Sequence, residues 1–298
     1  MNHFYFTILY LISFSLQSEV CEENNWKYTG IDAVDISMSS EGDLYVIGVD
    51  HRIYVYDDIA NSFSLLHADN EIPEPTRISV NSQGVPFVVA NCGDIFYLTY
   101  SHHWEKLPGC ASDISVGRGG EVWKVGCEEK ENGGYAISQL SCDSSFDSPI
   151  INTEREYVFF RKKEDTIDEY INYELRPREK HKHCKWNDIE GEGLRISVGL
   201  TGEPYIIAPG GIVMKYENNI WTGIYGQAAV DIDISNEGVI FTSGADGKLM
   251  RSVVEEMGTW ITIEGVLSKG VAVGPFSQPV VVSYIEGKVM TTYPTYRI

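Results

Sequence analysis

The sequence predicts an all-β protein built from one repeated unit of four short strands. Three observations support this prediction: a short phrase recurs along the chain, glycine-bearing turns follow it at a fixed delay, and a tryptophan precedes most of its copies. A chain of 298 residues is long enough for such units to bury a sizeable common core.

The first part of the unit is an alternating strand, a tight turn and an apolar strand. DISVGRGGEVWKVG, from Asp113, nearly repeats DISMSSEGDLYVIG, from Asp35. Further copies begin at Arg77, Arg195, Asp231 and Gly270, and the last is the most degenerate. Alternation of polar and apolar residues is typical of a half-buried strand, and glycine supplies the positive φ angle of a tight turn.

The third and fourth strands follow from two further columns. Each copy is followed by a glycine- or aspartate-bearing turn and an apolar stretch, as in DHRIYVY, CGDIFYL and DGKLMRS, which is typical of a hairpin. A tryptophan then leads the last strand. These tryptophans are Trp26, Trp104, Trp186, Trp221 and Trp260, and Phe63 stands in the sixth place.

These units predict a ring. A four-stranded sheet cannot bury both of its faces alone, and repeats of about 40 residues with four strands are typical of β-propeller blades. We therefore predict a six-bladed β-propeller over residues 19–298. The chain opens on a fourth strand and closes on a third, so residues near Trp26 should pair with the strand near Val289 and close the ring.

The motifs resemble a known repeat. The pattern W-x-x-I-x-G, D-I-S-V-G-x-x-G and V-W-x-V is similar to the tectonin repeat; WEKLPGCASDISVG from Trp104 matches it best, while Arg77 and Arg195 replace its usual Asp. The resemblance is to tectonin-type β-propeller lectins, including fish egg lectins and tachylectins. It implies secreted carbohydrate binding in innate defence, eggs or extracellular matrix, although intracellular tectonin proteins act as scaffolds.

Residues 1–18 are predicted to be a signal peptide, which would make the protein extracellular. The apolar run from Phe4 to Leu16 is too short to span a bilayer and is followed by polar, small residues. No Lys or Arg precedes this run, so a buried strand is the alternative. The formal net charge of -20 disfavours nucleic acid and anionic membrane surfaces as partners, and no later segment is apolar enough to anchor the chain.

Residues 143–183 lack the repeated phrase, the hairpin turn and the leading tryptophan. The copies start 36 to 42 residues apart except across this segment, where the interval is 82. We predict an insertion between the third and fourth strands of blade three. Its charge favours a solvated arm, and a partner-binding arm is the alternative.

Six cysteines in a secreted chain predict disulfides. Strand directions place Cys92, Cys110 and Cys127 at one end of the propeller and Cys21, Cys142 and Cys184 at the other, roughly 20 Å away. We expect Cys142 to pair with Cys184 at the base of the insertion. Cys92 should pair with Cys110, with Cys110–Cys127 as the alternative, which leaves Cys21 and Cys127 without obvious partners. The cluster HKHC, residues 181–184, lacks a second ligand pair, and we predict no metal site there.

Two sets of residues are candidates for function: the charged starts of the inner strands, and the turns and tryptophans that recur around the ring. The inner strands begin with Asp35, Arg77, Asp113, Arg195 and Asp231, whose alternating charges predict ion pairs between blades, with a polar ligand site at the channel mouth as the alternative. The candidate carbohydrate-binding residues are Ser39, Asn81, Arg118 and Asn236, in the first turns, and Trp26, Trp104, Trp186, Trp221 and Trp260. The tryptophans suit sugar stacking, but their fixed strand position suits packing between blades better.

The predicted function is a lectin that recognises glycans or microbial polysaccharide multivalently. A protein-binding scaffold acting through the inserted arm is the alternative, and a propeller hydrolase ranks third. No G-x-S-x-G or H-E-x-x-H motif occurs, so we predict no enzyme. We predict no cofactor, and calcium, in the channel or at Asp231 and Asp233, is the first one to test.

Overall fold

The computed structural model describes residues 25–142, 184–253 and 256–292, and every helix or strand in these ranges is a β-strand. No helix of the described residues is long and apolar enough to cross a membrane. The strands are β1 (Lys27–Met38), β2 (Leu44–Gly48), β3 (Ile53–Asp57), β4 (Ser62–Leu65), β5 (Pro75–Val80), β6 (Pro86–Ala90), β7 (Asp94–Leu98), β8 (Trp104–Cys110), β9 (Asp113–Val116), β10 (Val122–Glu129), β11 (Tyr135–Cys142), β12 (Cys184–Gly193), β13 (Arg195–Val198), β14 (Pro204–Ala208), β15 (Ile212–Glu217), β16 (Ile220–Ile224), β17 (Ala229–Ile234), β18 (Ile240–Gly244), β19 (Lys248–Val253), β20 (Glu256–Val273), β21 (Pro279–Ser283) and β22 (Lys288–Thr291).

Adjacent strands of each sheet pair antiparallel, and all these pairs except β22 with β1 join strands that follow one another in sequence. Strands β5–β8, β9–β12 and β13–β16 each form a four-stranded sheet. The other strands form one ten-stranded sheet in the order β17, β18, β19, β20, β21, β22, β1, β2, β3, β4. The prediction of consecutive four-stranded antiparallel units is therefore confirmed for the three separate sheets.

The ten-stranded sheet arises because two long strands each serve two neighbours. Strand β20 pairs with β19 up to Leu267 and with β21 from Ser268 onward. Strand β1 pairs with β22 between Lys27 and Asp32 and with β2 from Ala33 onward. The first described strand thus pairs with the last, as predicted, and the chain closes on itself.

The turn after each inner strand is the same six times. The N–H of its first residue donates to the carbonyl four residues later, at 2.8–3.1 Å. These first residues are Ser39, Asn81, Gly117, Gly199, Ser235 and Gly274. The fourth residue of five turns is a glycine with positive φ, and Ser277, at φ 55°, takes this place in the sixth. The degenerate sixth copy therefore keeps the turn of the others.

The core consists of apolar layers between consecutive four-strand units. One layer, for example, joins Phe87 and Ile95 of the β5–β8 sheet to Ile114 and Val122 of the next sheet. The second strands β2, β6, β14 and β18 are buried along their whole length. Each sheet therefore packs face to face on its neighbour, which is the burial that the repeat predicts.

The predicted insertion and signal peptide, residues 143–183 and 1–18, lie outside the described residues. Strands β11 and β12 pair directly up to Cys142 and Cys184, which are joined by a disulfide with 4.1 Å between their Cα atoms. The prediction of this bond is confirmed, and it joins the two residues that flank 143–183.

The predicted bond between Cys92 and Cys110 is wrong. Cys110, at the end of β8, is bonded to Cys127 on β10 of the next sheet, with 5.7 Å between Cα atoms, which was the alternative pairing. Cys92 is an exposed free thiol in the turn between β6 and β7. The side chain of Cys110 is directed across the boundary between sheets, a direction that the strand pattern does not specify.

Candidate functional site

The tryptophans lie on the boundaries between neighbouring units. Trp26, Trp186, Trp221 and Trp260 each pack on a different core layer and donate the indole N–H to a backbone carbonyl of the preceding unit, at 2.6–3.1 Å. Trp104 is 6% exposed and packs within another layer, and Phe63 packs on the sixth. The packing interpretation is therefore supported, and Trp104 presents no accessible ring to a ligand.

A glycine accompanies each of these hydrogen bonds. The accepting carbonyls of Pro108, Glu190, Tyr225 and Glu264 each directly precede a glycine. A Cβ on Gly191 would lie 2.7 Å from Nε1 of Trp221. Glycine is needed here because the indole of the next unit approaches the backbone closely.

The charged residues of the inner strands form one cluster in the channel. Arg195 donates to Asp113 at 3.2 Å and to Asp231 at 2.8 Å, and its Nη2 lies 3.6 Å from Asp35. Arg77 makes longer ion pairs, 3.5 Å to Asp35 and 4.0 Å to Asp113. The predicted ion pairs between neighbouring blades are thus present, and Arg195 is their hub.

Each aspartate of this cluster also holds the neighbouring unit through its backbone. Asp35, Asp113 and Asp231 accept the N–H of Ile78, Ile196 and Val271, respectively, at 2.8–2.9 Å. Burial raises the pKa of Asp35 to about 6 against the opposing effect of Arg77 and Arg195, and burial likewise raises the pKa of Asp113. Burial opposes the charge of Arg195, but Asp113, Asp231 and Asp35 together raise its pKa.

A second ring, of hydroxyl groups, lies two residues further along the inner strands. Ser37, Ser79 and Ser115 accept the N–H of Val80, Val116 and Val198 at 3.0–3.1 Å. Ser197 instead donates to Asp233, at 2.9 Å, and Asp233 accepts the N–H of Val273 at 2.8 Å. Burial raises the pKa of Asp233 to about 7.

Beyond this ring the channel opens into a polar cavity, which we call the cup. Residues from all six inner strands and from five of the turns that follow them line it, including Ser40, Ser82, Arg118, Leu200 and Asn236. The cup has a volume of about 60 Å³ for the centres of water molecules. A water molecule needs roughly 10–15 Å³ on this measure, so the cup holds several waters or one polar group of a larger ligand.

The polar groups of the cup are loosely held. The guanidinium of Arg118 is 51% exposed and lies 4.0 Å from Glu41. Asn236 donates to the carbonyl of Ser40 at 3.1 Å, and Ser82 donates to the carbonyl of Arg118 at 3.0 Å. The buried hydroxyl of Ser40 has no hydrogen-bond partner among the described residues. The cup therefore offers both donors and acceptors to a ligand.

Two of the four predicted turn residues do not face the cup, and none of the five tryptophans lines it. Ser39 and Asn81 are 0% and 1% exposed, and their side-chain oxygens accept backbone N–H groups within their own turns. The residues that line the cup stand one position later in the turns. Arg118 and Asn236, which the sequence singled out, are among them, and so are Ser40 and Ser82, which it did not single out. The first residue of each turn is defined by its backbone hydrogen bond, and in five of the turns the residue after it lines the cup; the amino-acid sequence alone does not show this difference of one position.

The fit of a calcium ion can be tested on the carboxylates. Asp231 is engaged by Arg195 and by the N–H of Val271, and Asp233 by Ser197 and two backbone N–H groups. Within the described ranges no three His, Cys, Asp or Glu residues are arranged to hold a metal. These two aspartates therefore do not fit a calcium site, and Cys184 of the HKHC cluster is used by its disulfide.

The architecture matches solved β-propellers. A gluconolactonase from Xanthomonas campestris superposes with a TM-score of 0.57 at 9% identity, over 89% of this chain and 88% of that chain. The Cps50 (Swd1) β-propeller domain from Myceliophteria thermophila gives 0.54 at 8%, over 87% and 96%. Virginiamycin B lyase from Staphylococcus aureus gives 0.50 at 12%, over 92% and 88%.

The chain is therefore an all-β protein with the β-propeller fold. The matched proteins include enzymes and other propellers, and identities of 8–12% show the fold alone. No protein-family model and no curated protein sequence matches the chain. The function must be inferred from the site itself.

Proposed function

We propose that this protein is a secreted lectin that binds a neutral glycan in the cup. The observation that carries the proposal is the set of incompletely used polar groups around the cup, from Ser40, Ser82, Arg118 and Asn236. Hydroxyl, amide and guanidinium groups match the many donors and acceptors of a sugar, and a few such groups suffice to orient a ligand.

Apolar surface lines the cup as well, since Leu200 of the fourth turn lies in its wall and is 41% exposed. Aromatic faces pack against the C–H face of sugars while hydrogen bonds fix the hydroxyl groups. The two disulfides among the described residues fit an oxidising, extracellular compartment.

The same proposal includes the finer architecture, six blades of the tectonin type with the insertion 143–183 in blade three. Division of β1 at Ala33 and of β20 at Ser268, where their partners change, gives six four-stranded units. Six equal turns and six apolar layers support this count. The tectonin assignment rests on the residue motifs, and a crystal structure with another number of blades would contradict the count.

Repetition predicts several similar sites, whereas the cup favours one composite site. The residues that follow the first position of the six turns are Ser40, Ser82, Arg118, Leu200, Asn236 and Pro275. Because these side chains differ in chemistry, equal pockets are not expected at the six turns. Binding stoichiometry decides between one axial site and multivalent recognition.

The test is a glycan array with and without calcium, followed by calorimetry on each ligand found. We expect neutral glycans to bind independently of calcium, with one site per chain. Arg118→Ala should weaken binding about tenfold, because a hydrogen bond to a charged group contributes about 1.5 kcal/mol. Arg52→Ala, an exposed arginine in the β2–β3 hairpin, is the matched control and should leave binding unchanged.

Two results would overturn the proposal. The first is absence of binding to every multivalent glycan and microbial surface. The second is full binding by Arg118→Ala and Asn236→Ala, which would move the glycan site away from the cup. Capture of a protein partner by the arm 143–183, without glycan binding, would favour the scaffold alternative.

A further inference from the structure

A free thiol stands beside a disulfide at the boundary between the second and third units. Cys92 is exposed in the turn between β6 and β7, directly before Gly93. A Cβ on Gly93 would lie 3.4 Å from Cβ of Cys110 and 3.7 Å from Cβ of Cys127. The backbone next to the free thiol therefore faces both halves of the Cys110–Cys127 bond.

Backbone hydrogen bonds fix this arrangement. The N–H of Gly93 donates to Ala90 at 2.8 Å and closes the turn that holds Cys92. The carbonyl of Gly93 accepts the N–H of Ala111 at 2.9 Å, and Asp94 pairs with Cys110 across β7 and β8. Cys92 thus stands on a short, exposed turn, one residue before the backbone position that faces the disulfide.

We propose that Cys92 exchanges with this disulfide within one chain. The Cys92 thiolate attacks Sγ of Cys110, the Cys92–Cys110 bond forms, and the Cys110–Cys127 bond breaks. Cys127 leaves as a thiolate and takes up the proton that Cys92 released. The reaction conserves one thiol and one disulfide, so it needs no external oxidant or reductant.

Chain length does not favour either isomer. Cys110 and Cys127 are 17 residues apart, and Cys92 and Cys110 are 18 apart. Loops of nearly equal size restrict the unfolded chain almost equally, so the two bonds differ mainly in the strain and contacts of the folded protein. Both isomers are therefore accessible without a large difference in unfolded-state entropy.

A buried cation lies beside the Cys110 half of the disulfide. The ammonium of Lys124 donates to the carbonyl of Cys110 at 2.9 Å and lies 4.6 Å from the ring centre of Trp186. Lys124 is only 7% exposed, so its charge is weakly screened at the disulfide. A nearby cation stabilises a thiolate relative to a thiol.

The exchange changes what the bond connects. Cys110–Cys127 joins β8 to β10 and so links two neighbouring sheets. Cys92–Cys110 instead lies within the β5–β8 sheet and leaves Cys127 as a thiol on β10. The exchange therefore removes the covalent link across one boundary of the propeller, while the total number of disulfides stays constant.

The test uses the full chain carrying Cys21→Ser, so that no thiol from residue 21 takes part. The protein is held at pH 5 or pH 8 without oxidant, quenched with acid, alkylated and mapped without reduction. At pH 8 we expect a Cys92–Cys110 peptide to appear, with Cys127 alkylation rising as Cys92 alkylation falls. At pH 5 the original bond should persist, because thiolates are scarce.

Variants and dilution make the result decisive. Cys92→Ser should keep Cys110–Cys127 at both pH values, and Cys127→Ser, treated with oxidised glutathione as the two-electron oxidant, should form Cys92–Cys110. A tenfold dilution should leave the wild-type rate unchanged, because the reaction is intramolecular. The proposal is overturned if Cys127 stays unalkylated at pH 8, if Cys92 and Cys110 stay free thiols in folded Cys127→Ser, or if dilution slows the exchange.

Discussion

At the residue scale, the tryptophans and glycines of the repeat form one recurring contact between neighbouring units. An indole on one unit covers a glycine on the unit before it and donates to the adjoining carbonyl. The recurrence of both residue types therefore reflects one contact made at several boundaries. A sugar-binding role for these rings remains a prediction for the partly exposed Trp26, Trp186, Trp221 and Trp260, and not for buried Trp104.

Trp221→Phe tests the hydrogen bond of this contact, from the indole N–H to the carbonyl of Glu190. Phenylalanine keeps most of the ring packing but leaves the carbonyl of Glu190 without the indole N–H that now lies 2.6 Å away. We expect the free energy of unfolding to fall by about 1 kcal/mol. Urea unfolding measures this loss. Gly191→Ala should lower the free energy of unfolding by more, because φ of Gly191 is 133° and a Cβ there would clash with the indole of Trp221. No loss in Trp221→Phe would show that water replaces the bond.

Asp233 should make stability depend on pH. Its pKa, raised by burial to about 7 in the folded protein, exceeds the ordinary 3.8, so between these values the folded state binds more protons than the unfolded state. The contribution of Asp233 to stability is then greatest at acid pH and falls as pH rises from about 4 to 7, by up to about 1.4 kcal/mol per pH unit.

Asp233→Ser introduces the residue that stands at the same position of four other inner strands, namely Ser37, Ser79, Ser115 and Ser197. This substitution should flatten the pH profile of stability. Asp35, with a pKa of about 6, and Asp113, whose pKa burial also raises, still titrate in the variant, so the difference in slope between wild type and variant reports Asp233. Urea unfolding at several pH values makes the measurement. Glu128→Gln, at an exposed position of β10, is the control for loss of charge and should keep the wild-type slope; an unchanged slope in Asp233→Ser would contradict the prediction.

At the element scale, the fold closes through strands that serve two units. Residues 27–32 of β1 pair with β22, and residues 33–38 pair with β2, so one continuous strand links the two ends of the described chain. This role was predictable because the sequence opens on a Trp-led strand and ends on a third strand. Hairpins and inner turns were predictable for a similar reason, since glycine and alternation are local signals.

Contacts between sheets were not predictable in the same way. The bond of Cys110 to Cys127 and the burial of Ser39 and Asn81 depend on how one sheet faces the next and on which residue of a turn points inward. Local patterns specify the strand and the turn but not these directions. The contacts of Arg195 with three aspartates were likewise not predictable from local sequence, because these partners lie 36, 82 and 160 residues away and meet only in the closed ring.

Removal of the closing strand tests this element directly. A chain that begins at Ala33 would leave β22 with an open edge and its core layer without Ile31. Open edges pair with other chains, so we expect a lower melting temperature and concentration-dependent aggregation. A chain that begins at Asn25 is the control. Equal melting of the two chains would show that the pairing of β1 with β22 contributes little.

At the scale of the whole molecule, the ring is held by different means at different boundaries. An Asp or Ser of one inner strand accepts an N–H of the next at four boundaries, through Asp35, Ser79, Asp113 and Asp231. At the closing boundary the corresponding residues are Gly270 and Ala272, whose side chains cannot accept. Continuity of β1 replaces the side-chain bonds there.

The charged hub should be the most sensitive point of this ring. The side chain of Arg195 is 13% exposed and contacts three aspartates from three units, whereas that of Arg77 is 34% exposed and makes only longer ion pairs. Removing one partner of a buried ion pair leaves uncompensated charge and costs about 3–5 kcal/mol. We therefore expect Arg195→Ala to lose that much stability at pH 7.5, and Arg77→Ala to lose clearly less.

The pH dependence of this loss identifies its cause. Without Arg195, the carboxyl groups of Asp35 and Asp113 lose a cation that now lowers their pKa values, so these pKa values rise further above the ordinary 3.8. Protonation then relieves the repulsion, and the deficit of Arg195→Ala relative to wild type should shrink as pH falls from 7.5 to 4.5. Denaturant unfolding of wild type, Arg195→Ala and Arg77→Ala at both pH values measures this. A deficit that is the same at both pH values would mean that Arg195 stabilises the ring by packing rather than by charge.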